Sequence, residues 1–108
     1  MLYPDWDNKI LLDSILQNYA GNTSKSIIIP DQGYLYLLHQ GTTSFSWASL
    51  NGIVIAGAYG VTTGRTMTDT DLIPVKKNDK LTINVRSWAK PETSCVNGET
   101  AYFIPFRR

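Results

Sequence analysis

The chain has 108 residues, a formal net charge of +1, 43% hydrophobic residues and 18% charged residues. This length fits one domain that buries roughly two thirds of the surface of its unfolded chain. A near-neutral charge without clustered Lys and Arg argues against a nucleic-acid partner, and the lack of an 18-residue apolar run argues against membrane insertion. The single cysteine, Cys95, cannot form an internal disulfide, and the N-terminus shows no signal-peptide pattern.

The first third of the chain alternates between polar and apolar stretches. Residues 1–9 are polar and broken by Pro4, which predicts an extended N-terminal arm. Residues 9–19 contain apolar positions that fit either one stripe of a helix or a strand with two apolar faces, and both interpretations stay open. The segment Ala20 to Ser26 is rich in Gly, Asn, Thr and Ser and predicts a loop. Ile27, Ile28 and Ile29 predict a short strand that ends at Pro30.

The segment Tyr34 to His39 predicts a strand with two largely apolar faces. Side chains alternate along a strand, so one set points to each side of the sheet. Tyr34, Tyr36 and Leu38 share one face. Leu35, Leu37 and His39 share the other.

The clearest turn signal is Asn51-Gly52, which favours a two-residue hairpin loop with both residues at positive φ. This turn pairs Leu50 with Ile53 and, farther along, Ala48 with Ile55 and Trp47 with Ala56. Neither face of this hairpin is polar. Because an antiparallel sheet usually has one solvated face, the second apolar face requires a partner.

The second half predicts further strands joined by polar connections. Residues 57–71 predict a long connection, and residues 72–85 predict a strand, a tight turn at Lys76 to Asp79, and a second strand with one buried face. In that turn we expect Asn78 at positive φ. Residues 86–100 predict a polar connection, and residues 101–106 the last strand. Six to eight short strands without a clear helix indicate an all-β fold, an antiparallel β-sandwich of jelly-roll type, in a single domain 1–108.

Four short motifs resemble, in the same order, small β-sandwich head domains of phage tail fibres and related appendages, which share the general plan of C1q and tumour-necrosis-factor domains. One motif is I-P-V-K-K-N-D-K-L at residues 73–81, where Asn78 stands in place of the usual Gly. The others lie at residues 30–36, 50–54 and 102–106. The resemblance implies a strand at residues 9–19, a homotrimer, a receptor-binding or adhesion function, and a location in the virion or outside the cell after assembly in the host cytoplasm.

The sequence contains little that predicts catalysis, so no catalytic residue, cofactor or metal site is expected. His39 is the only histidine and lies in an apolar strand, where a structural or interfacial role is favoured over that of a general base. Cys95 has no adjacent base or cation. Asp69 and Asp71 are two residues apart and fit a calcium ligand pair or a glycosidase acid pair, but solvated turn carboxylates are the favoured interpretation.

Surface recognition is the remaining possibility, because three Trp and six Tyr supply many large amphipathic rings. Trp47 is expected in the core or at an interface. Tyr59, Arg65 and Trp88 lie in predicted connections and are the candidate ligand-binding residues. For Trp88 and Tyr59, a ring folded back onto the sandwich as a lid is an equal alternative.

The apolar second faces predict self-association. Candidate interface residues are Leu35, Leu37, His39, Ile53 and Ile55. Together with the resemblance, which implies the homotrimer, this predicts a non-enzymatic phage or prophage appendage head that binds a host cell-surface glycan or protein. The alternatives are a purely structural trimerisation or virion decoration protein, and a monomeric carbohydrate-binding module.

Overall fold

The computed structural model describes residues 3–17, 19–41, 43–60, 67–88 and 97–107, without the side chains of residues 58–60 and 67. Within these ranges the chain forms two four-stranded antiparallel sheets. This confirms the predicted antiparallel β-sandwich and the upper limit of the predicted strand number. No helix in the described residues has the length and apolar character needed to cross a membrane.

In the described ranges, eight strands follow a 3-10 turn at Trp6–Asn8. The strands are β1 (Ile10–Leu16), β2 (Gly21–Ile28), β3 (Gly33–Gly41), β4 (Ser44–Leu50), β5 (Ile53–Gly60), β6 (Met67–Val75), β7 (Lys80–Ser87) and β8 (Gly98–Pro105). Sheet I has the order β1-β8-β3-β6, and sheet II has the order β2-β7-β4-β5. Every pairing between neighbouring strands is antiparallel.

The apolar core lies between the inner faces of the two sheets. Leu35 and Leu37 of β3 and Leu81 and Ile83 of β7 are completely buried, as the alternation along both strands predicts. Fully burying a side chain of this size contributes about 1.5–3 kcal/mol relative to leaving it exposed. These central strands therefore hold the sandwich together.

Both predicted tight turns are present, with one change of register. Asn51 and Gly52 have φ of 53° and 84°, and Asn78 has φ of 72°. The hairpin pairs Leu50 with Ile53 as predicted, but an irregularity beyond Ser49 places one extra residue on β5. Ala48 therefore pairs with Ala56 and not with Ile55.

For the same reason, the predicted pair of Trp47 with Ala56 is wrong, and Trp47 lies opposite Gly57. A bulge inserts one residue into one strand, which shifts every later pair and increases the local twist. Two-residue turn geometry specifies only the pairs next to the turn.

Residues 9–19 contain strand β1, as the resemblance implied, and not the alternative helix. Three stretches predicted as connections differ from their prediction. The predicted loop Ala20 to Ser26 is wrong from Gly21 onwards, because β2 pairs with β7 along its whole length despite its low strand propensity. The predicted connections at residues 57–71 and 86–100 are shorter, since β5, β6, β7 and β8 extend into them.

The N-terminal arm lies against the outer face of sheet I. The Trp6 ring contacts the Tyr36 ring edge-on, with 5.3 Å between centroids, and the Lys9 ammonium lies 5.0 Å from the centre of the Tyr102 ring. Pro4 also forms a bridge with Phe106. The second face of β3 is thus partly covered by the chain's own N-terminal residues, which weakens the argument that it needs a partner chain.

Candidate binding groove and buried histidine

The outer face of sheet II carries a groove with a volume of about 920 Å³. Strands β2, β4, β5 and β7 contribute to it, together with the residues just outside β2 and β7. Its lining residues are Ala20, Gly21, Asn22, Phe45, Trp47, Val54, Arg86, Ser87 and Trp88.

Strand register sets polar residues beside aromatic ones in this groove. Phe45 of β4 lies opposite Arg86 of β7, and Arg86 in turn lies opposite Asn22 of β2. One step along the sheet, Trp47 lies opposite Asn84. Residues two apart on a strand face the same side, so these side chains all point outward.

The aromatic side of the groove is formed by Phe45, Trp47 and Trp88. The rings of Phe45 and Trp47 meet edge-to-face, with 5.3 Å between centroids. Phe45 and Trp88 are 42% and 43% exposed, which is high for rings of this size. Gly57, on the other side of Trp47, adds no side chain that would cover the indole.

The polar side of the groove begins with Asn22 of β2, and a set of hydroxyl and amide groups continues beside the groove, farther along β2 and β7. Ser24 Oγ donates to Asn84 Oδ1 at 2.6 Å, and the hydroxyls of Ser26 and Thr82 lie 3.1 Å apart. The Asn84 amide also points its Nδ2 at the Trp47 carbonyl oxygen at 3.5 Å. These contacts hold Asn84 against the aromatic side of the groove.

Charge on this face is entirely positive within the described residues. The charged side chains that strand alternation places on the outer face of sheet II are those of Lys80 and Arg86. Arg86 is exposed, and its guanidinium makes no hydrogen bond or ion pair with another described residue. Among the described residues, the groove therefore places a cation without a hydrogen-bond or ion-pair partner beside aromatic rings.

A second polar cluster lies inside the sandwich. His39 Nδ1 is 2.6 Å from Glu99 Oε2, and His39 Nε2 is 2.9 Å from Asp71 Oδ2. His39 and Glu99 are completely buried, whereas the Asp71 side chain is partly exposed at the edge strand β6. Glu99 Oε1 has no hydrogen-bond partner in the described part of the chain.

Burial and charge act in opposite directions on this cluster. Burial lowers the pKa of His39, but the hydrogen bonds and negative charges of Glu99 and Asp71 together outweigh it, so the pKa is raised above its ordinary value. Burial raises the pKa of Glu99, and the contact with His39 offsets only part of this effect.

This geometry favours a structural role for His39. Both ring nitrogens contact carboxylates, and the side chain is shielded from solvent. A general base must reach a substrate proton directly or through one water. The sequence did not reveal that Glu99 and Asp71 would be its partners, because the residues are 60 and 32 positions away along the chain.

The aspartate pair considered from the sequence does not form a shared site. Asp71 contacts His39, whereas Asp69 Oδ1 accepts a hydrogen bond from the Thr70 backbone amide. In the described ranges, no group of three or more His, Cys, Asp or Glu residues is arranged to hold a metal ion. Cys95 lies outside the described residues.

Of the three candidate ligand-binding residues, Trp88 lines the groove. The backbone of Tyr59 belongs to β5 opposite Phe45, but its side chain lies outside the described set, as does all of Arg65. Phe45, Trp47 and Arg86 were not among the sequence-based candidates. The two-residue spacing of Phe45 and Trp47 is visible in the sequence, but the alignment of these two residues with Arg86 depends on the β4–β7 pairing.

The candidate interface residues fall into two groups. Leu35, Leu37 and His39 are completely buried between the sheets, so these three predictions are corrected: the residues belong to the inner face of β3 and are absent from the surface of the folded chain. Ile53 is 69% exposed, and Ile55 is partly buried against the core. Only the hairpin residue Ile53 remains well placed for contact with another molecule.

No protein-family model and no curated protein sequence matches the chain. Among solved structures, it is similar to the native structure of a family 35 carbohydrate binding module from Clostridium thermocellum, with a TM-score of 0.43 and 15% identity over 96% of this chain and 95% of that one. Another structure of a family 35 carbohydrate binding module from this organism has a TM-score of 0.43 and 14% identity, covering 94% and 97% of the two chains.

A cycloisomaltooligosaccharide glucanotransferase from Paenibacillus sp. has a TM-score of 0.42 and 10% identity, covering 96% of this chain and 18% of that enzyme. At these identities and scores, the likeness carries no inference about what this chain binds. None of these three structures is a phage appendage domain, so the predicted phage origin stays a prediction.

Proposed function

We propose that the chain is a non-catalytic module that binds glycans in the groove on the outer face of sheet II. The observation that carries this proposal is the position of Phe45, Trp47 and Trp88 around one groove, next to the polar side chains of β2 and β7. A pyranose ring has an apolar C–H face and a rim of hydroxyls. Aromatic rings bury such an apolar face, and hydroxyl and amide groups pair with its rim.

Core packing does not account for these rings. A large aromatic contributes most when it is buried, yet Phe45 and Trp88 each leave about two fifths of their surface exposed. Trp47 is held by its contact with Phe45 and by Asn84. Such a site is largely pre-formed, so little ordering cost would accompany binding.

The test is titration of the purified chain with a panel of soluble plant, bacterial and animal polysaccharides, monitored by tryptophan fluorescence. Affinity electrophoresis in gels that contain the same polysaccharides is the second measurement of binding. We expect Trp47→Ala and Trp88→Ala each to weaken binding about tenfold, equivalent to about 1.4 kcal/mol. The matched control is Trp6→Ala, since Trp6 is 46% exposed but lies on the outer face of sheet I. Equal binding by Trp47→Ala and the wild type would contradict the proposal.

A second candidate is the homotrimeric, receptor-binding appendage head, acting on a virion or outside the cell. The apolar tip of the hairpin supports it, because Ile53 and Val54 are exposed next to each other on the edge strand β5. Exposed apolar residues on an unpaired edge favour association. A purely structural trimerisation or decoration protein would share this property but would not bind glycans.

Multi-angle light scattering at micromolar concentration distinguishes these candidates. A mass three times that of one chain supports the trimer, and Ile53→Lys should then reduce it more than Lys77→Glu, a change at an exposed turn residue. A mass equal to one chain contradicts the trimer and leaves the monomeric glycan-binding module.

A further inference from the structure

We infer that the groove selects glycans that carry an anionic group, a carboxylate or a sulfate ester, and that Arg86 binds this group. The inference rests on the proposed glycan-binding function and names the class of glycan. Its starting point is the position of Arg86 among the residues that line the groove.

Arg86 lies between the polar and the aromatic sides of the groove. Its neighbours across the sheet are Phe45 on β4 and Asn22 on β2. A ligand ring that stacks on the aromatic side therefore presents its edge substituents toward the guanidinium. Asn22 on the far side supplies an amide for a neighbouring hydroxyl.

The charge of Arg86 is not neutralised inside the described part of the chain. In the described ranges, the basic side chains that contact carboxylates lie outside the groove: Lys25 pairs with Asp13, and His39 is in the core. None of the described residues that line the groove is acidic. On the same face the only other charge among the described strand residues is the cationic Lys80.

This charge pattern discriminates between neutral and acidic sugars. A guanidinium offers a planar fork of N–H donors that matches two oxygens of a carboxylate or sulfate, and such charge-assisted pairs are stronger than hydrogen bonds between neutral groups. A neutral glycan gains no such pair and must still displace water from Arg86. The aromatic walls lower the local dielectric and strengthen the attraction.

The experiment compares polymers that share a backbone and differ in charge. De-esterified pectin is tested against methyl-esterified pectin for the carboxylate, and dextran sulfate against dextran for the sulfate. We expect the wild type to bind at least one acidic polymer about tenfold more tightly than its neutral counterpart, and this preference to decline with added NaCl. The pair that shows the preference identifies which anion is bound.

The variants are Arg86→Gln, Arg86→Lys and the control Lys77→Gln, an exposed cation at the β6–β7 turn. Arg86→Gln should abolish the preference, Arg86→Lys should retain part of it, and Lys77→Gln should leave it unchanged. Thermal unfolding by circular dichroism verifies that each variant is folded. Because Arg86 is exposed and has no hydrogen bond or ion pair with another described residue, its replacement should not change the unfolding temperature measurably.

Five outcomes contradict the inference. In the first, Arg86→Gln keeps the preference for the acidic polymer. In the second, Lys77→Gln loses as much of it as Arg86→Gln, which indicates attraction to net charge alone. In the third, the wild type binds neutral polymers equally well and Trp47→Ala abolishes that binding, so the proposed function stands and the anion selection does not. Absence of binding to every acidic polymer contradicts the inference, and absence of binding to all glycans contradicts both.

Discussion

The imidazole of His39 and the carboxylate of Glu99 lie 2.6 Å apart in the interior of the sandwich, and neither side chain has any exposed surface. They come from the adjacent strands β3 and β8, where the two residues are directly opposite in register. A buried charge is costly unless it is paired and hydrogen-bonded. The end of the core that contains this pair therefore depends on its protonation state, unlike the apolar end around Leu35 and Leu81.

The free energy of unfolding should fall as pH rises through the neutral range. The pKa values of His39 and Glu99 are both raised in the folded chain, so between each unfolded and folded pKa the folded state binds more protons. Stability then decreases with rising pH, from the ordinary pKa of 4.5 for Glu99 and 6.5 for His39 up to the raised pKa of each group in the folded chain. Urea unfolding between mildly acidic and mildly alkaline pH measures this slope.

Glu99→Gln is the variant that tests this assignment, since it removes one titrating group and keeps the side-chain shape. We expect a flatter pH profile for the variant. The lowered pKa values of Asp13 and Asp79 act in the opposite direction, but only when pH falls below the ordinary aspartate pKa of 3.8. A wild-type profile that rises from mildly acidic to alkaline pH would show that the buried pair has been assigned the wrong sign.

Breaking the pair should cost more than removing it. His39→Leu leaves Glu99 buried without its partner, and loss of one partner from a buried ion pair costs about 3–5 kcal/mol. The double variant His39→Leu with Glu99→Leu removes both buried charges and leaves only Asp71, which water can reach. We expect the double variant to be more stable than His39→Leu alone, measured by urea unfolding at neutral pH.

The single variants His39→Leu and Glu99→Leu are measured as well. If the double variant loses an unfolding free energy equal to the sum of the two single losses, the prediction is contradicted, because additivity is expected only for residues that do not interact.

Asn51 joins the two tight turns at the same end of the sandwich. Its Nδ2 donates to Asp79 Oδ1 at 3.0 Å, and its Oδ1 accepts from the Lys80 backbone amide at 2.9 Å. Asn51→Gly keeps the positive φ of 53° but loses both hydrogen bonds, so we expect the free energy of unfolding to fall by about 1–2 kcal/mol. Thermal unfolding measures this decrease in stability. An unchanged unfolding temperature would mean that solvent replaces these contacts fully.

Asn78 occupies the left-handed region, with φ of 72°. Asn78→Gly should be neutral or slightly stabilising, since glycine populates positive φ without steric cost. Asn78→Val should cost about 1 kcal/mol or more, because a β-branched side chain resists this region. The two variants are compared by chemical denaturation, and equal stabilities would mean that the turn backbone rearranges to relieve the strain.

Local chemistry in the sequence was sufficient for the all-β class and for several individual elements. The alternation in Leu81, Ile83 and Val85 identified the buried face of β7, and the Asn51-Gly52 and Asn78 turns were identified by residues that tolerate positive φ. These features depend on interactions between residues close together along the chain. They are therefore visible without knowledge of strand order.

Pairing between distant strands determined the features of the fold that the sequence did not predict. The start of β2 at Gly21 depends on its alignment with β7, whose residues lie about 60 positions later. The bulge in the β4–β5 hairpin moved Trp47 opposite Gly57. The sequence pattern showed that the β3 strand had two apolar faces, but only the tertiary structure showed that one lies in the core and the N-terminal arm partly covers the other.

The candidate site likewise depends on pairing between strands that are distant along the chain. Arg86 and Phe45 become neighbours through the pairing of β7 with β4, and His39 meets Glu99 through the pairing of β3 with β8. Alternation assigns each of these side chains to a face of its own strand, but it does not determine which strands are adjacent. Adjacency is set by the packing of two whole sheets against each other, because that packing has to bury the apolar faces of all eight strands at once.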